Sequence, residues 1–180
     1  QYYIDREASF RVYDADLSHG AMMRYYTGFS DPVDITRFES ADSIAEHAAG
    51  SKVTSIVDLA AQTARPLGQW VNDSGLLELA QDIGLRLSCW HVMDDGADSL
   101  QLLHSLFDNY GDRAEYIIAR NFGRGNNFSH FKAPEIANRI ESLDVKVIDI
   151  PALHAPTMRK IDHISASFWA AANNTDSKLG

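Results

Sequence analysis

The stretch Val53-Thr-Ser-Ile-Val-Asp58-Leu-Ala-Ala-Gln-Thr63 decides how this chain is read. Its β-branched residues favour extended backbone, and the run stops on one carboxylate followed by small side chains. An apolar strand of this kind is what a parallel sheet carries when helices cover it. Working outward, comparable runs recur at Phe10–Ala15, Leu85–Met93, Ala114–Arg120 and Val145–Ile150, with Ile35–Phe38 a shorter one. Helical spacing fills the intervals. Pro66–Ile83 aligns Leu67, Trp70, Val71, Leu77 and Ala80 on one face and stops before Gly84. Ala97–Tyr110 repeats Leu100, Leu103, Leu106 or Phe107, and Tyr110 at helical spacing and closes at Gly111. Pro134–Leu143 and Ala155–Ala172 follow the same pattern. This βαβα rhythm predicts an α/β domain over residues 1–172, with a mainly parallel sheet, helices on both faces and a frayed polar tail at 173–180.

Composition agrees with one folded domain. A length of 180 residues suits a single core, and 45% apolar with 23% charged residues is far from the signature of disorder. Twenty-five acidic against 16 basic residues leave a formal charge of −9, which excludes coating of DNA by bulk charge. A single cysteine, Cys89, can form neither an internal disulfide nor a cysteine-based zinc site and points to a reducing, cytoplasmic setting. No run of about 18 apolar residues predicts a membrane span. The seven histidines lack the close spacing of metal ligands.

Four segments carry chemistry. Arg11-Val-Tyr-Asp14-Ala-Asp16-Leu-Ser-His-Gly20 ends a strand on two carboxylates at alternate positions, suited to metal-bound water or to capping the next helix. Spacing alone leaves both open. Asp58 ends the strand quoted above. Asn121, in Glu115-Tyr-Ile-Ile-Ala-Arg-Asn-Phe-Gly, offers an acceptor and a donor pair that match a purine edge, or serves as an ordinary turn asparagine before glycine. Val147-Ile-Asp-Ile-Pro151 ends a strand on a proline that either lines a base pocket or stops the strand. Arg120, Arg124, Lys132 and Arg139 form a modestly basic region suited to a partner or DNA.

Taken in order, these segments resemble the ParA/MinD family of deviant P-loop ATPases. Asp14-Ala-Asp16 looks like the family's Asp-x-Asp strand end, Val57-Asp58 like its Walker B, Asn121 like its adenine-reading asparagine, and Ile150-Pro151 like the segment closing over the base. The segments around Asp58, Cys89-Trp-His-Val-Met-Asp-Asp-Gly96 and Asn121–Arg124 look most like plasmid mobilisation, conjugal-transfer or stability proteins. The resemblance implies a P-loop NTPase-like three-layer sandwich and an ATPase acting in plasmid partition, stability or conjugal mobilisation. It implies a homodimer that encloses ATP and Mg2+, and a partner that is plasmid DNA or a DNA-bound, relaxosome-type protein. Asp16 would orient water or metal, Asp58 would hold Mg2+ through water with Asp14 as a second metal residue, Asn121 would read adenine and Pro151 would line the base.

One element of the family pattern is missing. No Gly-Lys-Ser/Thr occurs in the 180 residues, and Gly50-Ser-Lys52 precedes the Asp58 strand instead of following a first strand. The expectation is therefore that strand one, the P-loop and most of helix one lie upstream of Gln1, that Gln1–Glu7 ends that helix, and that this fragment alone is inactive. A nucleotide-free adaptor of the same fold and a Rossmann-like small-molecule transferase are the rival readings.

Overall fold

The computed structural model describes residues 1–51, 53–60 and 63–173, so the expected frayed tail lies outside the described residues from 174 onward. In chain order the elements are α1 (Tyr2–Asp5), β1 (Phe10–Asp14), α2 (Ala21–Tyr25), β2 (Ser30–Pro32), α3 (Phe38–Ser51), β3 (Thr54–Asp58), α4 (Ala64–Asp73) and α5 (Leu76–Ile83). They continue with β4 (Ser88–Met93), α6 (Ala97–Tyr110), β5 (Glu115–Asn121), α7 (Pro134–Ser142), β6 (Lys146–Ile150), α8 (Ala155–His163) and α9 (Phe168–Asn173). The chain is α/β with parallel pairing throughout, but its strands form two three-stranded sheets where one was expected. They belong to two compact units, one built from residues 1–79 and 155–180, the other from 80–154.

In the first unit the sheet order is β2-β1-β3, with Asp14 the register partner of Asp58 and of Pro32. Val12 and Tyr13 of β1 are buried with Val33, Ile35, Ala41, Ile44, Trp70 and Val71. The indole N–H of Trp70 donates to Asp42 Oδ1 at 2.8 Å, which satisfies the polar atom that burial would otherwise strand. The strand expected at Ile35–Phe38 is a turn. Asp34 Oδ1 accepts the Thr36 N–H at 3.0 Å and the Asp34 N–H donates to Ser40 Oγ at 3.0 Å, so local side-chain bonds start α3 there and the pairing segment falls at Ser30–Pro32. The single helix expected at Pro66–Ile83 is broken between α4 and α5 by Gly75 at φ +63, a conformation glycine adopts without the Cβ penalty. The helix expected at Ala155–Ala172 is likewise two, with Ser165 at φ +50 between them.

The second unit orders its strands β4-β5-β6. Helix α6 covers one face: Phe107 packs edge-on against Tyr116 at 4.9 Å, and His91 Nε2 lies 3.0 Å from the Ser99 carbonyl oxygen. Arg139 of α7 joins this layer through Asp108 of α6 at 2.7 Å. The opposite face carries Trp90, Val92, Ile148 and Ile150, which are 63, 59, 42 and 36% exposed. Helices on both faces were expected; within this unit α6 and α7 share the Tyr116 face.

Candidate functional site

Strands β1 and β3 run parallel and adjacent, so their carboxyl ends deliver Asp14 and Asp58 side by side, with Asp16 two residues further on. This is the end of a parallel sheet where ligands of α/β proteins bind. The three carboxylates differ sharply in what they already hold.

Asp14 is 1% exposed. Its Oδ1 accepts the Asp16 N–H at 3.0 Å and its Oδ2 accepts the Met23 N–H at 3.0 Å. Asp16 turns back on its own loop: Oδ1 accepts the Ser18 hydroxyl at 2.7 Å, the Ser18 N–H at 3.1 Å and the His19 N–H at 3.0 Å. The Ser18 hydroxyl, followed by the His19 amide, holds the Asp16 carboxyl below the usual carboxylate range. Asp58 receives no side-chain hydrogen bond among the described residues. Burial, and then the neighbouring charges of Asp14 and Asp16, push its carboxyl above the ordinary value. An anion so placed gains from any cation brought to it.

Among the described residues no three His, Cys, Asp or Glu side chains gather as a self-sufficient metal site. Magnesium does not require one, since it is usually held by one or two carboxylates with water and phosphate oxygens completing the octahedron. Asp58 therefore fits a magnesium ion that is shared with a phosphate. The phosphates themselves find no glycine-rich cradle in these 180 residues. Ala61 and Gln62, in the small-residue stretch after Asp58, lie outside the described residues.

In the second unit Asn121 and Pro151 are brought together. Asn121 is the register partner of Ile150, and the Phe122 N–H donates to the Ile150 carbonyl at 2.9 Å. The Asn121 Oδ1 accepts the Gly123 N–H at 3.0 Å, so the turn-forming alternative is realised and one lone pair of the proposed base reader is already used. Pro151 follows β6 and is exposed.

Comparison with family models, curated proteins and solved structures returned no significant match. What the site can do therefore rests on its own geometry.

The basic region read from the sequence is partly neutralised. Arg120 forms a two-bond pair with Asp149 at 2.6 and 2.9 Å and lies 5.8–5.9 Å from the ring centres of Phe122, Phe128 and Phe131. Arg139 is paired with Asp108 and lies over Phe107 at 5.1 Å. Both guanidinium groups thus serve packing, and Arg124 and Lys132 are the exposed cations of that set. Cys89 is free, and burial pushes its thiol to about 11, which makes it a packing residue and not a nucleophile.

Two features escaped the sequence. Asp95 Oδ2 accepts the N–H groups of Asn126 and Asn127 at 2.9 and 3.0 Å, clasping the loop that follows β5 from a position 31 residues earlier. In the first unit a shallow cavity of about 320 Å³ is lined by Arg24, Tyr25, Phe29, Ser167 and Trp169, with Arg24 paired to Asp162 at 2.9 Å. Two adjacent aspartates after a strand were a visible signal for the first, but their partner was not. The cavity joins segments about 140 residues apart and leaves no local signal.

Proposed function

We propose that this chain is the carboxylate-bearing part of a ParA/MinD-like ATPase acting on plasmid DNA or on a DNA-bound protein, working as a nucleotide-dependent dimer. The observation that carries the reading is the parallel register of β1 and β3, which sets Asp58, whose side chain accepts no hydrogen bond among the described residues, beside Asp14 and within electrostatic reach of Asp16. Two further features support it. β3 ends the sheet order β2-β1-β3 and pairs on one side only among the described residues, so its other edge can accept one more parallel strand, whose following loop would arrive at the Asp58 end. Asn121 and Pro151 also sit together at the end of β5 and β6, as a base-holding pair requires.

In this reading Asp58 holds magnesium through water and Asp16 orients the attacking water. Magnesium, when bound, neutralises charge on the transferred phosphoryl group. The chain's own contribution is to hold Asp16 rigidly and to keep the acidic end of the sheet ready for the cation. The reading requires a phosphate loop with lysine, and no Gly-Lys-Ser/Thr occurs in these 180 residues. The adaptor reading keeps the fold and drops the cation.

The test uses the isotope-labelled chain and Mn2+ as a paramagnetic probe. Broadening confined to amides near Asp14–Ser18 and Asp58–Ala60, and lost in Asp58→Asn, is the expected result. Broadening spread evenly over the acidic surface, or its survival in the Asn variant, refutes the magnesium assignment. Reading the coding sequence upstream of Gln1 for a glycine-rich loop with lysine, and measuring ATP hydrolysis by the extended protein, tests the rest.

A further inference from the structure

Asp14 and Asp16 look equivalent in the sequence, yet their surroundings assign them different work. Asp14 is fully buried and each of its oxygens is taken by a backbone amide. One amide belongs to Asp16. The other belongs to Met23, the third residue of α2, a helix whose N-cap is Gly20 and which therefore has no capping side chain of its own. The cap that Gly20 cannot provide is supplied from the end of β1, nine residues earlier in the chain. Between the two anchor points the loop is tied further: the Gly20 N–H donates to the Asp16 carbonyl at 2.8 Å, and the Arg24 N–H to the Gly20 carbonyl at 2.9 Å. Gly20 sits at φ +48, which a side chain would strain.

We propose that Asp14 is a positioning residue: a buried carboxylate that clamps residues 15–23 to the end of β1 so that Asp16 is held in place, without itself meeting cation, water or substrate. What Asp16 then does rests on the ATPase reading. The clamp rests only on the geometry of Asp14. A ligand role would need an open coordination position on Asp14, whereas burial and two amide bonds leave none that solvent reaches. The two carboxylates thus divide one task, the inner one fixing the loop and the outer one facing the chemistry.

The experiment follows amide hydrogen exchange and amide resonances in the labelled 180-residue chain. Asparagine at 14 keeps one acceptor and loses the other. In Asp14→Asn, exchange at Asp16 or Met23 should therefore quicken by about fivefold, the factor to which loss of one hydrogen bond of ~1 kcal/mol converts. Ser18 and His19, whose amides Asp16 holds, should shift, while amides of β5 such as Ile118 stay as they were. Asp16→Ala should leave Met23 protected as in the wild type, because the clamp runs from Asp14 outward. Unchanged exchange in Asp14→Asn, or equal loosening of Met23 by Asp16→Ala, overturns the proposal. So does loss of the whole fold in Asp14→Asn, since a positioning role is local. With Mn2+, Asp14→Asn should keep broadening near Asp58 and lose it near Asp16 and Ser18, and equal loss at both would make Asp14 a ligand and overturn the proposal. Absence of broadening in the wild type would count against the ATPase reading alone, because the exchange measurements decide the clamp without it.

Discussion

Replacing Asp58 by asparagine should stabilise the isolated chain at neutral pH. Asp58 and Asp14 are register partners on adjacent parallel strands, and such strands lie ~4.8 Å apart, which sets the two carboxylates roughly 5–6 Å from one another. Two unit charges at that separation repel by about 3 kcal/mol at an effective dielectric of ~20. Asp58 is only half-buried and Asp14 is stabilised by two amides, so screening reduces the usable part to about 1 kcal/mol. For a chain of this size that is a rise of ~2–4 °C in melting temperature. The sign with pH follows from the direction of the shift. The carboxyl of Asp58 is raised above its ordinary 3.8, so the folded state binds this proton more tightly than the unfolded state does. The destabilisation by Asp58 is therefore fully present above its folded value and fades as pH falls through that value toward 3.8. Thermal unfolding of wild type and Asp58→Asn at low ionic strength, from pH 7 downward, should show the gap at neutral pH closing in acid. High salt should narrow it as well. Magnesium should raise the wild type's melting temperature and leave that of the variant unchanged. An Asn variant that melts at or below the wild type at neutral pH, or a gap that does not close in acid, would refute the acidic-pair argument.

Calorimetry of the 180-residue chain with ATP and magnesium should show no micromolar binding, because no Gly-Lys-Ser/Thr occurs in its sequence; micromolar binding would reveal a phosphate site on other residues. A Cβ on Gly125 would meet the Asp95 carboxylate at 2.4 Å, so Gly125→Ala should dislodge the clasp on Asn126 and Asn127 and lower the denaturation midpoint. Asp95→Ala should lower it by a similar amount and the double variant by little more, and additive denaturation midpoints would disprove the shared mechanism. Gly75→Ala forces a side chain into φ +63 at the α4–α5 break and should lower stability by ~1 kcal/mol in a urea titration, whereas a neutral result would mean that the two helices can merge into one.

Much of the secondary structure was legible because it is written locally. The strands at Phe10, Thr54, Ser88, Glu115 and Lys146 follow β-branched and apolar runs, and α6 matches its apolar repeat from end to end. α3 was not read, since only Ala41 and Ile44 of its 14 residues are buried and polar neighbours dilute the period. The breaks at Gly75 and Ser165 interrupt patterns whose spacing continues on either side, so periodicity alone joins what the backbone separates. Which strands pair is a long-range matter, and nothing local distinguishes one sheet from two. At the site, the positions of Asp14, Asp16 and Asp58 were legible as strand ends. The occupancy of their oxygens was not, because spacing left metal-bound water and capping of the next helix both open, and the donor to Asp14 Oδ2, the Met23 amide of α2, lies nine residues away. For the same reason Arg120 and Arg139 read as surface charge until Asp149 and Asp108 are seen beside them.

The first unit is assembled from two separated stretches, residues 1–79 and 155–180, and this sets an order for its birth on the ribosome. Its sheet emerges early, but the helices that complete it wait until the roughly 75 intervening residues have been synthesised, about 4–15 s at ~5–20 residues per second. During that interval the second unit is a contiguous, compact segment that is already complete, whereas the first lacks α8, α9 and the Asp162 that pairs with Arg24. Nascent chains stalled before Ala155 should therefore protect the β4–β5–β6 segment from protease while α2 stays cleavable, and α2 should become resistant only once Asp162 has left the exit tunnel.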